Sequence, residues 1–337
     1  MGRNAAAIRK QVVNATMRMP LLEWNWSEGV AMYGLVTLWK RQEDDSILRF
    51  VGDWINDQLD NGQVFENVNA TAPCFALLEL YDRAQDERYG QIIRSRISFL
   101  MKHALRLRNG AFEHTLAETK FGGQMWVDTL FMAGLFLVKA GLLLQLPEVL
   151  EEGIRQYQIH VQMLQQDNGL FYHAWDEASG QVKGCQWARG NAWATMVSVE
   201  LADMLPDDHP ARPFIAETLK QQLAGLKETQ DVSGLWNTVL TEPGTYLETS
   251  AGAGIAYAVL KGIRLGCIDP AYSSMGEAAM RAALAFVDWS GVFKGVSAGT
   301  GVQNHPGEYH VIAQDRIEGY GQGILLMMLS EDIPPLA

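Results

Sequence analysis

The 337-residue chain has only three cysteines, and they lie far apart, at positions 74, 185 and 267. An odd number of widely spaced cysteines is not the framework of a disulfide-stabilised secreted protein, so we expect a reduced compartment. The start of the chain lacks the apolar segment of a secretory signal, and no run reaches the roughly 18 apolar residues that span a bilayer. These absences predict a cytoplasmic protein without a membrane segment.

Positive charge is also scarce. The chain has 27 Lys and Arg against 39 Asp and Glu, which gives a formal net charge of −12. Nucleic acids and anionic membranes require a basic face, so the charge argues against both partners. Gly252-Ala253-Gly254 follows no strand-like segment and indicates close helix packing, not a dinucleotide or phosphate loop. We therefore predict no cofactor, and any anionic ligand must meet a local positive group.

What the chain does contain is a loop-to-helix unit that recurs six times. Each copy is a polar or aromatic cluster followed by small and apolar residues, and the copies recur every 43 to 70 residues. The clusters are Trp24–Gly29, Asn67–Pro73, Gln124–Thr129, Gln186–Asn191, Leu247–Gly252 and Asp315–Tyr320. Each interval is long enough for one helix out and one helix back. Repeats that bury a face against the next copy predict a solenoid or a closed ring, with all six clusters at one end.

Hydrophobic periodicity predicts twelve helices in six pairs, and in each pair one helix is amphipathic and the other is apolar throughout. The predicted spans are 3–18, 30–40, 44–60, 70–84, 87–107, 128–145, 147–165, 190–204, 209–227, 249–265, 271–288 and 318–330. A helix that is apolar on every side must be surrounded by other helices. We therefore predict an all-α fold, an (α/α)6 barrel, with residues 1–337 as a single catalytic domain. The uneven spacing disfavours the alternative of an open solenoid.

The connections that precede the clusters are rich in aromatic residues, as sugar-binding loops are. The longest are 106–127, 166–189, 228–248 and 289–317. Aromatic rings beside carboxylates and Arg suit pyranose rings, which stack on aromatics and hydrogen-bond through their hydroxyls. For Trp126, Trp187 and Trp193 we expect a ligand-facing role, against the alternative of ordinary core tryptophans. The expected partner is a small oligosaccharide.

Asp128 is the predicted catalytic residue, because it opens an otherwise apolar helix. Its alternative role is a helix N-cap, for which Asp is a preferred residue. The helix N-terminus lowers the pKa of such a carboxyl group, whereas an apolar wall raises it. If burial dominates, Asp128 holds a proton near neutral pH and acts as a general acid. The sequence leaves open which effect dominates.

Arg189 is the second candidate. It lies between two indoles in Trp187-Ala188-Arg189-Gly190-Asn191-Ala192-Trp193, at the start of an apolar helix. A guanidinium there is either a fork that binds a substrate carboxylate or one half of a structural salt bridge. The sequence favours neither role.

Together these motifs resemble the unsaturated rhamnogalacturonyl hydrolases of glycoside hydrolase family 105, which are related to the unsaturated glucuronyl hydrolases of family 88. The resemblance rests on three motifs and covers nearly the whole chain: Gln124-Met125-Trp126-Val127-Asp128, Trp187-x-Arg189-Gly190-x-x-Trp193 and Trp24-x-Trp26-x-x-Gly29. It implies the same barrel. It also implies removal of a Δ4,5-unsaturated uronic acid from the non-reducing end of lyase-generated oligosaccharides, with unsaturated galacturonyl-rhamnose as the expected substrate.

The resemblance also implies residue roles. Asp128 protonates the C4=C5 enol ether and then acts as the base toward water. Substrate binding is expected from Trp26, His114, Trp126, His173, Trp187, Arg189 and Trp193. Family members commonly carry a second Asp in the second cluster, where this chain has Glu66 or Asn67. The sequence does not decide which of the two replaces it, and both are expected at the substrate.

Three other interpretations stay open. A conventional inverting glycosidase or sugar epimerase on the same barrel uses Asp128 with a second carboxylate, Glu248 or Glu318. A non-catalytic sugar-binding or scaffold protein needs no catalytic carboxylate. A zinc enzyme needs Cys and His ligands that converge on one site. The three cysteines are poorly placed for this, because two lie within apolar helices and Cys185 is alone, so we predict no metal.

Overall fold

The computed structural model describes residues 4–62, 67–114 and 121–333. In these ranges the chain forms twelve α-helices and one small sheet. The helices are α1 Ala5–Met17, α2 Trp26–Gln42, α3 Asp45–Asp60, α4 Cys74–Ala84, α5 Glu87–Lys102, α6 Leu135–Leu143, α7 Pro147–Leu164, α8 Ala188–Met204, α9 Arg212–Thr229, α10 Thr249–Leu265, α11 Ser273–Ala285 and α12 Gly319–Leu329. The strands are β1 Gln124–Trp126, β2 Ala174–Asp176 and β3 Gln181–Lys183.

The even-numbered helices form a closed inner ring. Helix α2 contacts α4, α4 contacts α6, and the series continues through α8 and α10 to α12, which contacts α2 again. The odd-numbered helices pack outside this ring, each against one or two inner helices. The predicted (α/α)6 barrel is therefore confirmed.

Burial explains why the even-numbered helices lie inside. Every residue of α12 is buried, whereas the outer helix α3 buries only one stripe, which begins with Ile47, Val51 and Trp54. A helix without a polar face must be enclosed by neighbours, and an amphipathic helix covers them from outside. The alternation of these two helix types along the chain thus determines the two layers.

Small residues let the ring close between its first and last helices. A Cβ on Gly34 of α2 would lie 2.3 Å from the carbonyl oxygen of Gly323 in α12. A Cβ on Gly323 would lie 2.2 Å from the carbonyl oxygen of Val30. Both distances are far inside van der Waals contact, so only glycine permits these two backbones to touch.

The chain around Asp128 departs from the predicted long helix. Residues Leu130–Gly134 form a π-helical turn before α6, and residues Asn69–Thr71 form a 3-10 turn before α4. Such π-turns occur frequently at functional sites, because the extra residue changes where neighbouring side chains point. Strands β1, β2 and β3 pair antiparallel in that order, a sheet that periodicity did not predict because each strand has only three residues.

All six inner helices begin at the same end of the barrel, and the predicted clusters lie there. The partial positive charges of helix N-termini therefore converge on that end. Within the three described ranges, no helix is both long enough and apolar enough to cross a membrane.

Candidate active site

A cavity of about 700 Å³ opens at the end of the barrel where the inner helices begin. The structure brings six of the predicted site residues to its wall: Trp26, His114, Trp126, Asp128, Trp187 and Arg189. They come from the first, third and fourth clusters and from the connection before β1. Three of the six clusters thus bring predicted site residues to one cavity, whereas the fifth and sixth clusters contribute no residue to its wall.

Asp128 faces this cavity and does not cap a helix through its side chain. The side chain is 15% exposed, and its Oδ2 lies 3.4 Å from Nε2 of His173. No hydrogen bond of good geometry reaches Oδ2 from the described residues. The alternative role of a helix N-cap is thus not what the structure shows.

The pKa of Asp128 lies below its usual value. Burial raises the pKa, but the contact with His173 and the nearby His114 and Arg189 together lower it by more. This answers the question that the sequence left open, because the positive and polar neighbours outweigh the apolar wall. In the free protein at neutral pH, Asp128 is a carboxylate.

His173 lies behind Asp128 and is fully buried. Its ring stacks on Trp187 with centroids 4.4 Å apart and meets Trp126 edge-on at 5.2 Å. Its backbone carbonyl accepts a hydrogen bond from the amide of Val127, which ties it to the residue before Asp128. The structure thus places His173 against the catalytic candidate and not on the cavity wall, where the resemblance implied substrate contact.

His114 and Trp126 form one side of the wall. Their rings are stacked, with centroids 4.4 Å apart and planes inclined by 15°. Nδ1 of His114 lies 2.7 Å from Oγ1 of Thr129. Burial lowers the pKa of His114 to about 4, so the ring is neutral at physiological pH. It therefore offers a hydrogen-bonding edge and not a positive charge to a ligand.

Arg189 does not present a free fork to the cavity. Its Nη1 donates to the carbonyl and hydroxyl oxygens of Ser297 and lies 3.3 Å from Oε1 of Glu248. Its Nη2 donates to the carbonyl oxygen of Ala298 and to Oγ1 of Thr300. Both terminal nitrogens are therefore occupied, and the structure favours the structural salt bridge of the two roles that the sequence left open.

The aromatic rings around Arg189 define its position. The guanidinium carbon lies 4.5 Å from the ring centroid of Trp187 and 4.8 Å from that of Tyr320. Tyr320 also stacks on Trp26, with centroids 4.3 Å apart. Arg189 thus lies between Trp187 and Tyr320, and Tyr320 in turn supports Trp26 on the cavity wall.

Besides His173, two more of the described predicted residues are not on the wall. Trp193 is fully buried within α8 and packs against Phe131, so the prediction that it faces a ligand was wrong, because one helical turn carries it down into the core. Asn67 caps the turn below it by accepting the amide hydrogen of Ala70, and it does not line the cavity. Glu66 lies outside the described residues.

The structure also adds residues that the sequence analysis missed. Lys183 and Asn69 line the cavity, together with Phe121, Gln124, Met132 and the segment 299–304. Lys183 is 41% exposed, and its Nζ lies 3.7 Å from Oδ2 of Asp176. A signal was present, because Lys183 is the single lysine in the connection 166–189. Strand β3 carries it to the cavity, and that strand was not predicted.

The two alternative carboxylates are poorly placed for catalysis. Glu248 is fully buried, caps α10 by accepting the amide hydrogen of Ala251 at 2.6 Å, and pairs with Arg189. Burial raises the pKa of Glu318, against the opposing effect of Arg189 and Arg316, but this residue does not line the cavity either. Asp128 is thus the single carboxylate among the described residues of the wall.

No metal site accompanies this carboxylate in the described ranges, where no three His, Cys, Asp or Glu side chains come together as ligands would. The thiols of Cys74 and Cys185 are buried, and burial raises the pKa of both.

The fold and the site define a carbohydrate-active barrel, and comparisons with known proteins identify its class. The sequence model of glycosyl hydrolase family 88 matches residues 4–334. The chain is 33% identical over 325 residues to the unsaturated rhamnogalacturonyl hydrolase YesR of Bacillus subtilis strain 168, covering 95% of this chain and 92% of the relative. The chain therefore belongs to glycosyl hydrolase family 88 and is a glycoside hydrolase.

Solved structures agree with this assignment. A possible member of the GH105 family from Salmonella enterica serovar Paratyphi A superposes with a TM-score of 0.92 at 30% identity, covering 97% of this chain and 92% of that one. The unsaturated glucuronyl hydrolase of Bacillus sp. GL1 superposes with a TM-score of 0.70 at 17% identity, covering 90% and 85%, and shows the same fold. The resemblance inferred from the tryptophan motifs is confirmed.

Proposed function

We propose that this hydrolase removes a Δ4,5-unsaturated uronic acid from the non-reducing end of lyase-generated oligosaccharides, with unsaturated galacturonyl-rhamnose as the preferred substrate. The name of the Bacillus subtilis relative supports the substrate class. The observation that carries the proposal is that Asp128 is the single carboxylate among the described wall residues. Conventional retaining and inverting glycosidases need two carboxylates across the scissile bond, whereas hydration of an alkene needs one.

The reaction follows from the electronic structure of the substrate. In the unsaturated uronate, C4 and C5 form an enol ether, because the ring oxygen is bonded to C5. Transfer of a proton to C4 leaves a cation at C5 that the ring oxygen stabilises. Water adds at C5 and loses a proton, which gives a hemiketal. The hemiketal opens, and the rest of the oligosaccharide leaves without attack at the anomeric carbon.

Asp128 performs both proton transfers in this scheme. It gives its proton to C4, and the resulting carboxylate then accepts the proton of the attacking water. Because its pKa is low in the free protein, it must gain its proton as substrate binds. The carboxylate of the uronate supplies the reason, since a second negative charge nearby favours the protonated form of Asp128.

Lys183 and the helix N-termini supply the positive field for that uronate. Arg189 has its terminal nitrogens occupied, whereas among the described residues the one ion pair of the Lys183 ammonium group is a 3.7 Å contact with Asp176. An ammonium group bound to a carboxylate forms a charge-assisted hydrogen bond, which is stronger than a neutral one. We propose Lys183 as the carboxylate-binding residue, in place of the fork expected from Arg189.

The neutral parts of the sugar are matched by the rest of the wall. Trp26, Trp126 and Trp187 offer ring faces or edges, and His114 and Asn69 offer polar groups for hydroxyls. The amide oxygen of Asn69 is buried without a hydrogen-bond partner among the described residues. A hydroxyl group that donates to it would satisfy this acceptor. We further propose that residues 1–337 form one catalytic domain, because the described helices all share one hydrophobic core.

Isotope labelling tests the chemistry directly. Hydrolysis of the unsaturated disaccharide in D2O should place deuterium at C4 of the released keto sugar, and the absence of deuterium there would rule out protonation at C4. A saturated disaccharide of the same linkage should not be cleaved. Cleavage of both at similar rates would instead indicate a conventional glycosidase.

Asp128→Asn tests the residue. Turnover should fall about a thousandfold or more, because one group supplies both proton transfers. Asp44→Asn is the matched control, since Asp44 caps α3 on the surface and Asn is an equally good N-cap. Normal turnover in Asp128→Asn would remove the mechanism.

A further inference from the structure

Tyr309 lies directly behind the pair formed by Asp128 and His173. It is fully buried, in a cluster with Cys185, Trp187 and Val239. It ends the short 3-10 turn Pro306–Glu308 and does not line the cavity. Its hydroxyl group lies 2.7 Å from Nδ1 of His173. A buried tyrosine that reaches the partner of a catalytic carboxylate needs an explanation beyond packing.

The hydrogen bonds around the Tyr309 hydroxyl define the direction of its proton. The backbone amide of Gln303 donates to this oxygen at 3.3 Å, and an amide can only donate. The hydroxyl proton is therefore free for another acceptor. The candidates are Nδ1 of His173 and the sulfur of Cys185, and an imidazole nitrogen is the stronger acceptor of the two. This difference favours the arrangement in which Nδ1 accepts, and in the neutral ring the proton then sits on Nε2.

Nε2 of His173 is the atom that faces Asp128, at 3.4 Å from Oδ2. With a proton on Nε2, the ring presents a donor to the carboxylate. With the opposite tautomer, it would present a lone pair and repel the carboxylate. The other charged or titratable groups that act on Asp128 are His114, Arg189 and Tyr309 itself.

Gly184 makes room for this arrangement. Its φ is +79°, and a Cβ at this position would lie 2.3 Å from the Tyr309 hydroxyl oxygen and 3.2 Å from Cβ of His173. Any side chain would displace the hydroxyl group from Nδ1. The strand-to-helix connection between β3 and α8 is thus shaped around the contact between Tyr309 and His173.

We propose that Tyr309 is a positioning residue that holds His173 in the Nε2–H tautomer, so that the ring turns an N–H group, and not a lone pair, toward Oδ2 of Asp128 at 3.4 Å. The same hydroxyl also accepts the amide hydrogen of Gln303, in the segment 299–304 of the cavity wall. The kinetic consequences rest on the proposed function, but the tautomer does not, and it can be measured without any substrate.

Nitrogen NMR of the histidine rings tests the tautomer. The chain has seven histidines, and the signals lost in His173→Asn identify the relevant ring in protein labelled with 15N-histidine. In the wild-type protein, Nε2 of His173 should carry the proton. Nδ1 should have the 15N chemical shift of an unprotonated nitrogen that accepts a hydrogen bond. In Tyr309→Phe, the ring should become a mixture of tautomers. A proton on Nδ1 in the wild type, or an unchanged spectrum in Tyr309→Phe, would overturn the proposal.

Kinetics provide the second measurement. In Tyr309→Phe, kcat should fall about tenfold to a hundredfold, as is typical when the hydrogen-bond partner of a functional histidine is lost. KM should change by less than about twofold, because a residue off the cavity wall does not contribute to substrate binding. The alkaline limb of the kcat/KM profile should move to higher pH, because a carboxylate that loses a donor holds its proton more tightly.

Tyr157→Phe is the matched control. Tyr157 is equally buried, and its hydroxyl group also makes a 2.7 Å hydrogen bond, with Ser198 between α7 and α8. Both variants should lose similar stability, but Tyr157→Phe should keep the wild-type pH profile. If the pH profiles of both variants move by the same amount, the effect comes from a general loss of packing, and the positioning role is refuted.

A change at Gly184 tests the same contact without touching Tyr309. Gly184→Ala should reproduce the altered tautomer. Gly180→Ala is its control, because Gly180 has a similar positive φ of +66° but open space around its Cβ position. A wild-type His173 spectrum in folded Gly184→Ala would count against the proposal. If the unsaturated disaccharide is not a substrate at all, the NMR results still decide the tautomer, so the two failures are distinguishable.

Discussion

Replacement of Arg189 by alanine should lower the stability of the fold, and not mainly the affinity for substrate. Its guanidinium is 1% exposed and pairs with Glu248, which is fully buried. Loss of Arg189 leaves that carboxylate in the interior without its counter-charge. It also removes the side-chain donors to the carbonyl oxygens of Ser297 and Ala298.

The size of the effect follows from this burial. Breaking a buried ion pair by removing one partner costs about 3–5 kcal/mol. An unfolding entropy of about 2.1 cal/mol/K per residue amounts to about 0.7 kcal/mol/K for 337 residues. The Tm of Arg189→Ala should therefore lie about 4–7 °C below that of the wild type.

Calorimetry or thermal circular dichroism measures this difference in Tm. A double substitution then isolates the contribution of the ion pair. Arg189→Met combined with Glu248→Gln should be more stable than the sum of the single changes predicts, by about 1–3 kcal/mol, because no unpaired charge remains. Arg281→Ala is the control, since Arg281 is 45% exposed and pairs with Glu277 on the surface. Its effect should stay below about 1 kcal/mol.

The opposite pattern would refute this reasoning. If Arg189→Ala melts within about 1.5 °C of the wild type while KM for the unsaturated substrate rises steeply, then Arg189 is a substrate fork. Arg189 would then release Ser297, Ala298 and Thr300 when substrate binds and would bind the substrate carboxylate instead.

Two further predictions concern the charge of the substrate. Lys183→Met should raise KM about tenfold, the equivalent of one charge-assisted hydrogen bond of about 1.5 kcal/mol, with little change in Tm; Lys220→Met, at a lysine that is 78% exposed on α9, is the control. Equal KM values for the wild type and Lys183→Met would show that another group binds the carboxylate. Rate profiles against pH should show the alkaline limb of kcat at higher pH than that of kcat/KM, because bound uronate raises the low pKa that Asp128 has in the free protein. Coincident limbs would contradict a proton gained on binding.

Hydrophobic periodicity and sequence motifs predicted the helices, the closed ring and three wall residues, because each of these depends on residues that are close in sequence. Apolar residues at helical spacing are local in the chain, so α3 and α7 could be located within a few residues. The closing of the ring also follows from local information, since helices without a polar face must lie inside. The tryptophan motifs located Trp126, Asp128 and Trp187 on the cavity wall, because these motifs precede inner helices and the inner helices begin at one end.

The predictions that failed or stayed open depended on distant contacts. The partners of Arg189 are distant in sequence: Glu248 lies 59 positions further along the chain, and Ser297 and Ala298 lie 108 and 109 positions further. Trp193 looked like a wall residue because it belongs to a shared motif, but the direction of α8 turns it into the core. Lys183 is brought to the cavity by a three-residue strand, which is too short for any alternating pattern to reveal.

The amino-acid order was thus sufficient for the barrel, the family and the catalytic candidate, since burial of apolar helix faces depends on neighbours along the chain. The charge state of Asp128, the partners of Arg189 and the proton position on His173 were decided by folding alone. Tyr309 is 136 residues from His173 in sequence and 2.7 Å from it in space. Hydrogen bonding acts over a few ångströms, and only the packed structure shows which donors and acceptors come within that distance.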